Sequence, residues 1–305
     1  MNFGAVAMVL GNLLAVLVMP FVVIGVVNRV KSLWSGRKGP PILQVAFDVL
    51  RLLRKRPVYS TTTTPLFRIA PWVFLVTGLG SAAICPLLGS GPVVAFPFDF
   101  VWFAYAYGLG RVAMLLAALD TGSPFEGMGA AREAIFAAVL EPALFLVVGA
   151  LCAFTGSTSL HEALVLPISG GASMVVLVAS VLALVVVLQV ETGRLPVDDP
   201  ATHLELTMVH EVMVLDHSGP LLGLVEYAAA LKLFVLEAML LHVMAPTAAV
   251  AGWPGFALFL AGLAGVAVAI GLVESVMARL RLLHVPTLLI AAVLSCGFAF
   301  LLLAR

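Results

Sequence analysis

An all-α integral membrane protein is the fold class this sequence predicts, and three observations predict it. Hydrophobic residues make up 62% of the 305-residue chain and charged residues only 10%, whereas soluble domains carry roughly a quarter charged residues. Mean hydropathy is +1.16. The apolar residues are gathered into eight stretches, each near the ~20 residues that a spanning helix needs.

The first stretch runs from Phe3 to Val27. Met1 and Asn2 supply no basic segment ahead of it, so it reads as a spanning helix rather than a signal peptide. The others are roughly Ile69–Leu88, Val101–Leu119, Ala134–Phe154, Ala172–Val190, Leu222–Val243, Gly255–Val273 and Val285–Leu303. Gly and Pro inside them are tolerable, because neighbouring helices re-satisfy the freed backbone groups. No internal repeat, long linker or soluble domain interrupts them, so residues 1–305 read as a single polytopic domain.

Between the first two stretches, Leu43, Ala46, Phe47, Leu50 and Leu53 repeat at helical spacing, with Gln44, Asp48, Arg51 and Lys55 on the other side. This predicts an amphipathic helix over about 43–55, lying at the cytoplasmic membrane interface. The same loop holds Arg29, Lys31, Arg37, Lys38, Arg54, Arg56 and Arg68, and alternate loops add Arg132, Arg194, Arg279 and Arg281. The opposite loops carry Asp99, His161 and Glu162 but no lysine or arginine. The positive-inside rule then places both termini outside and four loops in the cytoplasm.

Ionisable residues at membrane depth cost at least ~2.5–3.5 kcal/mol each and ask for a reason. Arg111 and Glu141 each lie about eight residues, or ~12 Å, from a cytoplasmic helix end, so the spacing predicts that they can pair. Glu226 and Glu237 are separated by about three turns and share a helix face, from which Lys232 is expected to point away. Glu141 and Glu226 read as titratable steps on a proton path from the cytoplasm.

The longest charged run is "ETGRLPVDDPATHLELTMVHE", Glu191 to Glu211, within an acidic loop of about 191–217. Mutual repulsion among Glu191, Asp198, Asp199, Glu205 and Glu211 is expected to raise individual pKa values and to be offset by Arg194 and the neighbouring loops' arginines. His203, His210, Glu211, Asp216 and His217 lack the spacing of a compact metal shell, and no H-E-x-x-H occurs. Cys85, Cys152 and Cys296 stand apart from one another and read as buried apolar residues. There is no P-loop or G-x-G-x-x-G, and zero formal net charge gives no sign of a nucleic-acid partner.

"ETGRLPVDDPATHLEL" resembles the E-T-x-R-x-P-x-D loop of the membrane subunit that joins the arms of respiratory NADH:quinone oxidoreductase. "RKGPPILQVAFDVLRLLRK", "GAAREAIFAAVLEPALF" and "LVEYAAALKLFVLEAML" resemble further segments of that family. The short "GPPILQ" connection, "ALDTGSPFEGMGAARE" and "ESVMARLRLLHVP" look like one branch of it. That branch is the membrane-anchor subunits of group 4 nickel–iron hydrogenases, the formate hydrogenlyase subunit 4 and hydrogenase-4 component C type. The resemblance implies a subunit without a cofactor of its own that anchors hydrogenase large and small subunits carrying a nickel–iron centre and iron–sulfur clusters. It also implies antiporter-like membrane partners within the lipid bilayer of a prokaryotic inner membrane and coupling to proton or sodium movement. By the same resemblance, Glu191, Asp198, Asp199, Glu205 and Glu211 are implied to form a hydrated funnel toward Glu226 and Glu141. A quinone-site subunit and a free-standing secondary transporter are the alternatives, the latter disfavoured by the missing repeats and broken helices.

Overall fold

The structure, a computed structural model, describes residues 3–87, 91–165, 171–198, 208–245, 253–281 and 284–303. Helices α1 (Phe3–Trp34), α2 (Gln44–Leu53), α3 (Pro65–Ile84), α4 (Asp99–Asp120) and α5 (Pro124–Thr155) come first. A short α6 (Leu160–Ala163), α7 (Gly171–Glu191), α8 (Gly219–Met244), α9 (Trp253–Val276) and α10 (His284–Leu303) follow. Among the described residues there is no strand.

Six of these helices contain segments long and apolar enough to cross a membrane: Leu10–Trp34, α3, α4, α5, Ser173–Glu191 and Pro254–Val276. Their outward faces carry Trp72, Tyr105, Leu109, Ile135, Leu146, Val178 and Leu182, all exposed. A water-soluble fold would bury such a continuous belt; in a bilayer it faces acyl chains at no cost. The chain is therefore a multi-pass membrane protein. Helix α8 is different: it is central, touching α1, α2, α3, α7 and α9, and residues 230–243 are buried without a gap. Being enclosed by protein there, α8 can carry Lys232 and Glu237 without exposing them to lipid.

Two helices are longer than their hydropathy suggests, and charge explains both. α1 continues beyond Val27 to Trp34 because Lys31 finds a carboxylate, Glu274 on α9, at 2.7 Å. α5 begins at Pro124 rather than near Ala134. Its first turns hold Glu126, which accepts a hydrogen bond from the Asp216 amide at 2.9 Å, and Arg132, which donates to the Met208 carbonyl at 3.1 Å. Arg132, expected in a loop, and Glu133 beside it are helical because protein rather than water satisfies them. At the other end, buried Asp99 accepts from the Leu160 amide at 2.6 Å and the Ser159 hydroxyl at 3.1 Å, tying α4 to α6. Cys85, Cys152 and Cys296 are unpaired and buried.

Candidate functional site

The charged residues converge where α4, α5, α7 and α8 meet. Arg111 on α4 is 4% exposed and lies among three carboxylates. Its Nε is 2.8 Å from Glu133 Oε1, its Nη1 is 3.2 Å from Glu141 Oε1, and its Nη2 pairs with Glu191 Oε2. Glu133 and Glu141 are about two turns apart, so both project from one face of α5 toward the same guanidinium. Gly108 makes room for this: a β-carbon there would fall 3.2 Å from the Glu141 carboxyl carbon.

Glu191 is shared. Its other oxygen lies 2.9 Å from Lys232 Nζ, which also donates to the Glu191 carbonyl at 3.1 Å. Lys232, expected to point away from the face shared by Glu226 and Glu237, turns to Glu191 at the end of α7, and it lines the same cavity as Glu226.

The chain of pairs continues into the loop. His210 Nε2 is 3.5 Å from Glu133 Oε2 and its Nδ1 is 3.4 Å from Asp198 Oδ2. Asp198 also accepts from the amides of Val209 and His210, at 3.0 and 3.3 Å, and Arg279 Nη2 stands 3.8 Å from its other oxygen. Gly193, at φ 59°, allows the close approach: a β-carbon there would fall 2.4 Å from His210 Nδ1. A second group joins Arg194 Nη1 and Lys31 Nζ to Glu274, each at 2.7 Å.

Three permanent cations, Arg111, Lys232 and Arg279, thus face four carboxylates, Glu133, Glu141, Glu191 and Asp198. A proton on His210 makes cations and anions equal in number. Burial alone would push the imidazole down, but the Glu133 and Asp198 carboxylates outweigh it and raise its pKa above the ordinary value. Burial pushes Asp198 up, yet the hydrogen bond and charge of His210 and the two backbone amides hold it below the usual carboxylate range. The expected raising of loop carboxylates by mutual repulsion is overturned at Asp198, since its neighbours are cations and donors. His217, stacked on Phe67 at 4.0 Å, is pushed down to about 4 by burial.

These shifts fix a pH dependence. The raised His210 stabilises the loop fully below ~6.5, and the contribution is lost as pH rises through its folded value. The lowered Asp198 contributes fully above ~4, and that part is lost as pH falls through its own folded value. Protection of the Val209 and His210 amides from hydrogen exchange, corrected for intrinsic rate, should therefore decline as pH rises from ~6.5 through the folded value of His210. His210→Gln should flatten that decline; the same loss in His210→Gln would remove the imidazole from the explanation.

A cavity of about 400 Å³ opens beside this network, lined by Arg111, Glu133, Arg194, Asp198, His210, Glu211, Glu226, Lys232 and Glu274 and by apolar Ile24, Phe74, Met114 and Val225. The predicted site residues thus fall into distinct positions. Arg111, Glu141 and Glu191 meet directly, and Asp198 joins them through His210 and Glu133. Arg194 reaches the cavity from the second group. Glu211 is exposed at the cavity wall. Glu226 is not brought to Glu141: it stands exposed near the start of α8, facing Asp48 of α2. Asp199 and Glu205 lie outside the described residues. Sequence reasoning missed Glu133 and Glu274 and gave His210 and Lys232 no part in the site; the eight-residue interval between Glu133 and Glu141 is the signal that points to Glu133, and membrane depth the one that points to Lys232.

Fold and site together define a multi-pass helical membrane protein with a buried ion-pair network and an amphiphilic cavity at its charged end. The chain matches the NADH dehydrogenase family over residues 6–305 and belongs to it. It is 29% identical to hydrogenase-4 component C of Escherichia coli (strain K12), over 73% of this chain and 70% of that one. Formate hydrogenlyase subunit 4 of the same organism is 28% identical over 91% of both chains. The H-type component of NADH-quinone oxidoreductase from Methylococcus capsulatus is 26% identical over 68% of this chain and 67% of the other. In fold, the chain superposes on one from the membrane-bound sulfane sulfur reductase, an archaeal respiratory membrane complex. The TM-score is 0.78, at 19% identity, covering 96% of this chain and 99% of that one.

Proposed function

We propose that this chain is the membrane subunit of a multisubunit respiratory-type oxidoreductase, anchoring a cytoplasmic nickel–iron hydrogenase arm and coupling its electron transfer to proton or sodium movement. The observation that carries the reading is the continuous chain Lys232–Glu191–Arg111–Glu133–His210–Asp198. It runs from a helix at the centre of the bundle to a loop at its edge. A merely structural pairing needs no such length, whereas a coupling element needs charges that can be rebalanced one proton at a time. The greater identity and coverage of the hydrogenase-named relatives favours that arm.

In this reading all eight long helices span the membrane, α8 being shielded by its neighbours, and both termini lie outside. Helix α2 lies at the cytoplasmic interface with Phe47, Leu50 and Leu53 exposed toward lipid or a partner. The nickel–iron and iron–sulfur centres belong to partner subunits, with antiporter-like subunits alongside. Mild detergent purification should recover a nickel- and iron–sulfur-containing complex; a redox-inactive monomer from fresh membranes would overturn the assignment.

The cavity supports a second reading, a quinone-site subunit, because charged groups at one end and apolar walls suit an amphiphilic head group. Hydrogen turnover insensitive to quinone-site inhibitors keeps the first reading. Potent inhibition of a quinone-dependent rate selects the second.

A further inference from the structure

Helix α8 holds a second set of polar groups that the ion-pair network does not use. Within the buried run 230–243, the ionisable residues are Lys232, Glu237 and His242, recurring every five residues, a rise of ~7.5 Å per step. Lys232 is taken by Glu191. Glu237 is wholly buried, and neither carboxyl oxygen has a hydrogen-bond partner among the described residues. The charged group it feels is Arg194, at the edge of the charged cavity. Without a partner among the described residues a carboxyl at that depth is costly, and internal water is a partner that offsets the cost.

His242 is 1% exposed and packs against the Phe259 ring at 5.4 Å. Its Nδ1 is 2.7 Å from the Ala238 carbonyl. A carbonyl only accepts, so Nδ1 carries the hydrogen and Nε2 of the neutral ring presents a lone pair. That Nε2 is buried and has no partner among the described residues. The group His242 feels electrostatically is His161 of α6, whose Nδ1 is likewise buried and unpartnered among the described residues while the residue as a whole is half-buried. Glu162 beside it binds the Ser157 hydroxyl at 2.6 Å. Since α6 is tied to the start of α4, it marks the end of the bundle opposite the Arg111 network.

We infer that this chain carries its own proton passage from the charged cavity to its opposite end, through Glu237, His242 and His161 linked by internal water. Successive residues on α8 turn by ~140° between steps, so water rather than direct contact makes each link. A proton leaves the Glu237 carboxyl for water and adds to the His242 Nε2 lone pair, giving an imidazolium. The imidazolium releases it from the same nitrogen to water leading to His161 and the far surface. The Glu237 carboxylate is then reprotonated from the cavity beside Arg194. No redox partner is needed, and charge is conserved at every hop.

The inference rests on the coupling reading above, and two measurements on the intact complex separate them. In proteoliposomes, His242→Leu and His161→Leu should each lower the protons released per hydrogen turned over on the face opposite the hydrogenase arm, the antiporter-like subunits' share remaining, while dye-linked hydrogen turnover and subunit abundance stay at the parental level. Undiminished release in assembled His242→Leu overturns the passage and leaves the coupling reading intact. The second measurement needs no turnover and holds even if the parental complex moves no protons. Infrared difference spectra against His242→Leu identify the His242 imidazole, whose exchange in heavy water should be fast in the parent and slow in the double variant Glu237→Leu/His161→Leu, which closes both ways to it. An exchange rate untouched by that double variant overturns the passage, whatever the coupling assay gives.

Discussion

Arg111→Met should strip the chain from membranes. Among the described residues, the guanidinium is the only group that touches Glu133, Glu141 and Glu191 together, and removing it leaves the almost wholly buried Glu133 and Glu191 with only His210 and Lys232 beside them. Breaking a buried pair by deleting one partner costs ~3–5 kcal/mol, a large share of the ~5–15 kcal/mol that holds a typical fold together. Steady-state abundance should therefore fall severely, as read by immunoblot of membranes. Arg111→Lys should recover only part of it, because one ammonium cannot reproduce a planar fork that faces three carboxylates. Adding Glu141→Gln to Arg111→Met should also recover little, since the almost wholly buried Glu133 and Glu191 still lack the guanidinium and keep only His210 and Lys232 beside them. Parental abundance in Arg111→Met would mean that the network contributes nothing to assembly.

How much of this is legible in the sequence depends on the range of the interaction concerned. The helical class and most of the long helices follow from apolar run length, which is a local property. The pairing of Arg111 with Glu141 is legible because equal depth from the same membrane face brings candidates together whatever the helix order. The partners of Glu191 and Asp198 are not. Lys232 lies far along the chain, and its direction depends on how α8 is rotated against α7, which hydropathy does not encode for a helix buried on all sides. His210 looks like a surface histidine in an acidic run; its place between two carboxylates depends on the loop folding back onto α5 and on Gly193 leaving room. The expectation of mutual repulsion fails for the same reason: adjacency in sequence counts the carboxylates, but tertiary structure supplies the cations between them.

Glu141→Gln should leave the complex assembled and uncouple it. Glu141 is the most exposed of the three carboxylates on Arg111, its side chain 38% accessible against 5% for Glu133 and 1% for Glu191. Its removal therefore strands little: Arg111 keeps two anions, and a glutamine carbonyl can still accept from Nη1. Three carboxylates would then face three permanent cations, so the network stays balanced without a proton on His210. Both considerations predict subunit abundance near the parental level. If Glu141 is the step that admits protons to the cavity, the amide, which cannot release and regain one, should abolish proton-coupled turnover while dye-linked hydrogen turnover by the peripheral arm persists. Glu141→Asp keeps the titrating group but shortens its reach by one methylene, so it should restore part of the coupling, with a rate limited by the longer gap to Arg111. The readout is proton movement per assembled complex. Normal coupling in an assembled Glu141→Gln complex would reduce Glu141 to a counter-ion for Arg111, and reduced abundance with normal coupling would do the same.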